Sequence, residues 1–164
     1  MHQLNNSKCV NIAILTISDT RNFEDDRSGQ AIKSLFESKD HSIIEYKIAK
    51  DERPLIQAIV KEWTANSNIQ AILLNGGTGF SPRDVTYEAV NELLSKKMDG
   101  FGELFRMLSY EEIGPKALFS RAVAGSIDTT AIYALPGSTN AVKLAVNKLI
   151  LPTLPHFVEE LVKL

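Results

Sequence analysis

The sequence predicts an α/β fold whose sheet is mostly parallel and carries an antiparallel hairpin strand. Three observations lead there. Apolar, β-branched runs alternate with helix-period stripes over the first half of the chain. Polar, small-residue turns follow those runs, as expected where strands hand over to helices. From Ser120 to Leu135 two short runs read as a hairpin instead. With 164 residues, 44% of them hydrophobic, the chain is the size of one domain with one ordinary core.

Cys9 to Ile17, CVNIAILTI, is a near-continuous apolar run of the kind buried on both faces of a parallel sheet, and it places Cys9 as a buried, inert thiol. Ala31, Ile32, Leu35 and Phe36 then share one face of a helix beginning at Arg27, with Asp25 or Asp26 in position to cap it. Ile43 to Ile48 reads as a second strand. Leu55, Ile56, Ile59, Val60 and Trp63 form the stripe of a helix that Asp51 can cap, with Pro54 tolerated in its first turn. Ile69 to Leu74 is a third strand. Val85 to Leu94 and Phe101 to Leu108 read as helices, the latter with Phe101, Leu104, Phe105 and Leu108 on one side.

In SRAVAGSIDTTAIYAL the hairpin turn falls around Gly125 to Asp128, and Pro136-Gly137 ends it. Ser138 caps a helix running through Lys148, and Pro152 opens a last one with Leu154, Phe157, Val158, Leu161 and Val162 as its stripe. No linker or internal repeat divides the chain, so residues 1–164 are expected to form a single domain.

A net charge of −2 with scattered Lys and Arg removes the electrostatic footprint of a nucleic-acid binder. No signal-peptide pattern opens the chain and no run approaches the ~20 apolar residues that span a bilayer, so a soluble cytoplasmic protein without a membrane partner is expected. The histidines His2, His41 and His156 stand apart and give no zinc spacing; surface or packing roles are expected.

Candidate chemistry concentrates on four strand-to-helix turns: ISDTRNFEDDRSG, AKDERP, NGGTGFSPRD and LPGSTNA. Ligands of parallel α/β sheets bind at the carboxyl ends of strands, where such turns gather. Gly76, Gly77 and Gly79 permit positive φ and close backbone approach, and Thr78 adds a hydroxyl, the makings of an anion nest or of a plain tight turn. No G-K-[ST] ending follows, which argues against a P-loop. Asp84 ends Ser81-Pro82-Arg83-Asp84, which has capping-box spacing; as a carboxylate beside bound phosphates it would equally suit Mg²⁺. Asp51 carries the same two readings. Gly137, Ser138 and Asn140 repeat the anion-binding pattern at a helix start, and Ser18, Asp19, Thr20 and Arg21 follow the first strand, where a ligand site and a solvated loop are both open.

In order and spacing, NGGTGFSPRDVT, SRAVAGS and ALPGSTNAV resemble the molybdenum cofactor biosynthesis family that contains MoaB, MogA and the gephyrin G domain. DGFGELFRMLSYEEIGPKALFSRAVAGS is most similar to its MoaB branch. The resemblance spans the chain and implies a three-layer α/β/α sandwich, a homotrimer or hexamer, and molybdopterin binding. In adenylylating members it implies attack of the pterin's terminal phosphate on the α-phosphorus of Mg-ATP; the alternative for this chain is binding of molybdopterin or a precursor without catalysis. Carried over by motif, Asp51 and Asp84 are the catalytic and Mg²⁺-holding carboxylates. Ser18, Asp19, Gly76, Gly77, Thr78, Gly79, Ser120, Pro136, Gly137, Ser138 and Asn140 are the pterin and phosphate contacts. Thr139 stands where the family often has proline, which would loosen that turn.

Overall fold

The computed structural model describes residues 8–164; His2 lies outside them. The first apolar run becomes strand β1 at Asn11–Ile17, shorter at its start than the pattern suggested. Cys9 precedes the sheet and is exposed, with Sγ 3.5 Å from the Ser42 hydroxyl, so the buried-thiol expectation fails. The apolar character of that run therefore serves burial only from Val10 onward.

Helix α1 (Arg27–Glu37), strand β2 (Ser42–Ala49), helix α2 (Arg53–Thr64) and strand β3 (Ala71–Asn75) complete the expected alternation. Helix α3 (Thr86–Leu93), the two-residue strand β4 (Lys96–Lys97) and helix α4 (Asp99–Ile113) follow. A 3₁₀ turn at Gly114–Phe119 leads into the hairpin of β5 (Val123–Ile127) and β6 (Thr130–Leu135). Helix α5 (Thr139–Ala145), a π turn at Val146–Ile150 and helix α6 (Leu154–Leu161) close the chain.

The sheet order is β2-β1-β3-β6-β5-β4. β2, β1, β3 and β6 run parallel, while β5 is antiparallel to both β6 and β4. Residue alternation along each strand divides the core into two layers. Ile12 and Ile14 of β1, Leu73 of β3 and Tyr133 of β6 pack with α1, α4, α5 and α6. Ala13 and Leu15, Ile72 and Leu74, and Ile132 and Ala134 pack on the opposite face with α2 and α3. The result is the three-layer α/β/α sandwich.

Several local expectations shift. Asp128, with φ 51°, marks the hairpin turn, and Gly125 lies inside β5. A Cβ on Gly125 would meet the Lys96 carbonyl oxygen at 2.1 Å, so its small size serves the close approach of β4. Leu104 is 48% exposed, because the buried face of α4 is made by Phe101, Gly102, Phe105 and Ser109, with Leu108 partly buried against the core. Ser138 does cap α5, its hydroxyl accepting from the Ala141 N–H at 3.2 Å, but the expected continuous helix gives way to the π turn. The last helix starts after Thr153, not at Pro152. His41 is buried and accepts the Val10 N–H at 3.0 Å on Nδ1; burial lowers its pKa, which suits a neutral packing role.

The polar ends of these elements are tied by one buried network. Asp26 is fully buried at the start of α1 and accepts the Gly29 N–H at 3.1 Å, the expected cap. Its other oxygen accepts the Thr16 hydroxyl at 2.6 Å and the Tyr46 hydroxyl. Burial, together with the bond to Asp26, raises the Tyr46 pKa and keeps that donor protonated. Asn75 donates to Thr16 at 2.9 Å and accepts from Ser28 at 2.7 Å, and Ser28 accepts from Arg21 at 2.6 Å. A Cβ on Gly29 would stand 2.1 Å from the Asp26 carboxyl, so only glycine lets α1 sit this close.

Two tyrosines carry opposite expectations. Tyr46→Phe removes a donor from a buried carboxyl and should lower stability by about 1–3 kcal/mol. The Tyr133 hydroxyl is buried and has no partner among the described residues, so Tyr133→Phe should be neutral or stabilising. Urea denaturation of the pair checks both signs; equal losses would contradict this account.

Candidate functional site

At the carboxyl ends of β1, β2, β3 and β6 their following loops enclose an open pocket of about 500 Å³. It gathers Ser18, Asp19, Asp51, Gly76, Gly77, Thr78, Gly79, Asp84, Ser120, Pro136 and Gly137 from positions scattered over more than half the sequence. Ser138 and Asn140 fall outside it. Ser138 is occupied as the α5 cap, and Asn140 borders a separate cleft with Glu112, Lys143 and Lys148.

Two of the three loop glycines take the positive φ that composition allows; Gly79 does not, and its small size serves the close approach of Asp84 instead. Gly76 and Gly77 have φ of 96° and 71°, which disfavours side chains, and a Cβ on Gly76 would lie 2.3 Å from the Ile17 carbonyl oxygen. Gly76 N–H donates to the Leu135 carbonyl at 3.0 Å, and Thr86 N–H donates to the Gly77 carbonyl at 2.9 Å. The N–H groups of Gly77, Thr78 and Gly79 make no hydrogen bond to another described residue. Arg121 explains part of this arrangement. Its Nε donates to the Thr78 carbonyl at 2.8 Å and an Nη to the Gly79 carbonyl at 2.7 Å. In a trans peptide the next N–H points opposite to the carbonyl, so the amides of Gly79 and Phe80 face away from Arg121.

Neither aspartate is a helix cap. The α2 N-cap is Glu52 and the α3 N-cap is Val85, and neither makes a side-chain cap bond. The capping-box reading of Ser81 to Asp84 therefore fails: the segment closes on itself, Asp84 N–H to the Ser81 carbonyl at 2.8 Å and Ser81 N–H to Asp84 Oδ2 at 3.1 Å. Asp84 Oδ2 also lies 2.7 Å from where a Gly79 Cβ would be, so this carboxyl abuts the glycine loop.

Charge in the pocket is unevenly met. Arg83 donates Nε to Asp19 Oδ2 at 3.0 Å and Nη to Oδ1 at 2.8 Å, and this pairing lowers the Asp19 pKa. Asp19 Oδ1 also accepts the Asp51 N–H at 3.1 Å. The Asp51 carboxyl itself is raised above its ordinary value by burial and by the neighbouring Asp19 and Asp84 charges. A carboxyl crowded in this way favours a cation beside it. Among the described residues no group of three or more His, Cys, Asp and Glu is placed to hold a metal. Two carboxyls are nevertheless a fitting set for Mg²⁺, which characteristically keeps water and substrate phosphate among its ligands.

Arg21 and Thr20, which follow Ser18 and Asp19 in the first turn and were open to a ligand or a solvated-loop reading, also lie in the pocket lining. Arg21 donates to the Gly137 carbonyl at 3.1 Å and reaches Asp26 at 3.4 Å, joining the last loop to the buried network, a link that its place in ISDTR did not indicate. For Asp26, Asn75 and Ser28, which lie beneath the pocket, sequence offered at most a cap.

Comparison with known proteins gives the family of the chain. The family model described as "Probable molybdopterin binding domain" matches residues 13–156. A Halalkalibacterium halodurans protein named molybdenum cofactor biosynthesis protein B is 51% identical over 163 residues, covering 99% of this chain and 96% of that protein. A crystal structure of a molybdenum cofactor biosynthesis protein B superposes with a TM-score of 0.92 at 48% identity, covering 94% of this chain and 97% of the other. The tungsten cofactor synthesizing protein MoaB from Pyrococcus furiosus superposes with a TM-score of 0.85 at 30% identity, covering 95% and 99% of the two chains. The chain belongs to the probable molybdopterin binding domain family and, within it, to the molybdenum cofactor biosynthesis B proteins.

Proposed function

We propose that the pocket binds molybdopterin and Mg-ATP and transfers the adenylyl group to the pterin's terminal phosphate. The observation that carries this reading is the meeting, in one pocket, of an amide-rich glycine loop with Asp51 and Asp84. In the reaction a terminal phosphate oxygen bonds to the α-phosphorus of ATP, the bond from that phosphorus to the bridging oxygen breaks, and pyrophosphate leaves. Such transfer needs positioning and charge neutralisation more than covalent help from the protein.

The Gly77, Thr78 and Gly79 amides hold phosphate oxygens, with Ser18 and Ser120 as hydroxyl donors at the pocket wall. Asp51 and Asp84 hold Mg²⁺, which when bound offsets the charge that two phosphate-bearing substrates bring together. Arg121 keeps the loop carbonyls turned aside, and Arg83 pairs with Asp19 beside the metal carboxyls, offsetting its charge. Ser138 and Asn140 lie beyond the pocket lining and serve only an extended ligand. A protein that binds molybdopterin or a precursor without turnover is the competing reading.

The same reading includes assembly as a homotrimer or hexamer in the cytoplasm. Leu104, Met107, Tyr110 and Ile113 are 48–59% exposed along α4 at intervals of three residues, and Leu118 is 77% exposed beyond it. A second copy of the chain would cover this apolar stripe. The absence, among the described residues, of a helix able to cross a membrane is compatible with that location.

Three measurements check the proposal. Purified protein given molybdopterin, ATP and Mg²⁺ should release pyrophosphate and adenylylated pterin, and Asp84→Asn should lower the rate about 100-fold or more while retaining the fold. Tight pterin binding without product in the unsubstituted protein selects the non-catalytic reading.

Asp51→Asn should also abolish turnover, yet it should not lower stability at pH 7. A raised carboxyl pKa penalises the folded state in full above that raised value, and the penalty fades as pH falls through it and is gone below the unfolded value of about 3.9. Thermal melts should thus show the variant equal to or above the parent at pH 7, with the difference shrinking in acid.

Light scattering should give a particle of three or six chains, and Met107→Glu should reduce its mass. A monomeric parent protein would rule out this use of the stripe.

A further inference from the structure

We infer that Phe119, supported by Phe80, is the stacking platform for the planar nitrogen heterocycle of the ligand, pterin or purine. This assignment rests on the proposed reading of the pocket and specifies the part of the ligand that the polar groups leave unaddressed. The glycine amides, Asp51 and Asp84 engage phosphates and metal; none offers a surface to a flat ring. Among the residues lining the pocket, Phe119 is the one aromatic.

Its setting is unusual for a phenyl ring. Phe119 ends the 3₁₀ turn Gly114–Phe119 and is 64% exposed, whereas large apolar side chains are most often found inside. Phe80, directly after the glycine loop, is 67% exposed. The two rings meet edge to face with centroids 6.1 Å apart and planes at 85°.

Neither ring is left on a loose tether. The Arg121 guanidinium lies 4.9 Å from the Phe80 centroid and 4.8 Å from that of Tyr87, while the same group holds the Thr78 and Gly79 carbonyls. Buried Ala117 anchors the 3₁₀ turn, and the Ser120 N–H donates to its carbonyl at 3.1 Å. Arg121 thus holds both the phosphate cradle and Phe80, and Phe119 is held through its edge-to-face contact with Phe80 and the 3₁₀ turn that it ends. Rings of this kind bind heterocycles by offset or edge contacts without reading a particular base. Phe119 is a binding residue for the ring, separate from the groups that position the phosphates.

The test is calorimetric binding to the purified full chain with three probes: molybdopterin, Mg-ATP and inorganic tripolyphosphate with Mg²⁺, which keeps the phosphates and lacks a ring. Phe119→Ala should weaken at least one ring-bearing probe about tenfold and leave tripolyphosphate unchanged. The affected probe identifies the ring as pterin or purine. Phe119→Trp should retain the affinity and Phe119→Leu should not.

Unchanged affinity of Phe119→Ala for both ring-bearing probes, with the parent protein binding them, overturns the stacking role while sparing the functional reading. Equal loss for tripolyphosphate overturns it too, as that pattern belongs to a collapsed loop. A smaller particle with unchanged ring affinity assigns Phe119 to a contact between copies instead. A parent protein that binds neither ring-bearing probe overturns the functional reading and the platform with it.

Discussion

The Asp26 carboxyl is fully buried, and burying it without partners would cost several kcal/mol, so the surrounding chain has to deliver donors to it. It does so from four places: Thr16 at the end of β1, Tyr46 from β2, the Gly29 amide in the first turn of α1, and Arg21 from the loop between β1 and α1. Thr16 is fixed in turn by Asn75 at the end of β3, and Arg21 extends to the Gly137 carbonyl. A single polar requirement thereby aligns the strand ends and loops that make up the pocket floor. Movement of any of these ends would leave a buried polar group unpaired, which is why the pocket geometry follows from the packing beneath it.

Above that floor the balance of charge is deliberately incomplete. Arg83 satisfies Asp19, and Arg121 bonds the glycine-loop carbonyls and Glu88, so both arginines are engaged. Asp51 is left in the company of like charges and partly desolvated, with no arginine of its own. Free amides on one side and an under-compensated carboxyl on the other are complementary needs: an anion for the first, a cation for the second. A phosphate ligand arriving with a divalent metal meets both at once, which is the physical basis of the proposed adenylyl transfer.

Much of the site was legible before the fold was known. Glycine at 76 and 77 announced positive φ, and the placing of Asp51 and Asp84 on strand-to-helix turns put them at one sheet edge, where the structure has them. What composition and spacing left undecided was whether those acids capped helices. That question depends on where α2 and α3 start: at Arg53 and Thr86, so that Asp51 and Asp84 stand just outside the helices and line the pocket, Asp84 also accepting the Ser81 N–H. Ser138 shows the reverse outcome. Its anion-binding and capping readings were equally available, and the structure gives its hydroxyl to the Ala141 amide. Arg121 and Phe119 were hidden for another reason, since their partners at Thr78 to Phe80 are some forty positions away in the chain.

By itself the sequence determined the alternation of strand and helix, the small residues where backbone must turn or approach backbone, and the motifs that place the chain in its family. These are local properties, set by side-chain period, φ preference and volume. The tertiary structure alone decided that Cys9 lies outside the sheet, that Gly125 belongs to a strand because β4 passes against it, and that Asp26 is the buried junction of four segments. It also decided which of two neighbouring acids would be neutralised, Asp19 by Arg83 and not Asp51, because electrostatic pairing is settled by distance in space and not by separation along the chain.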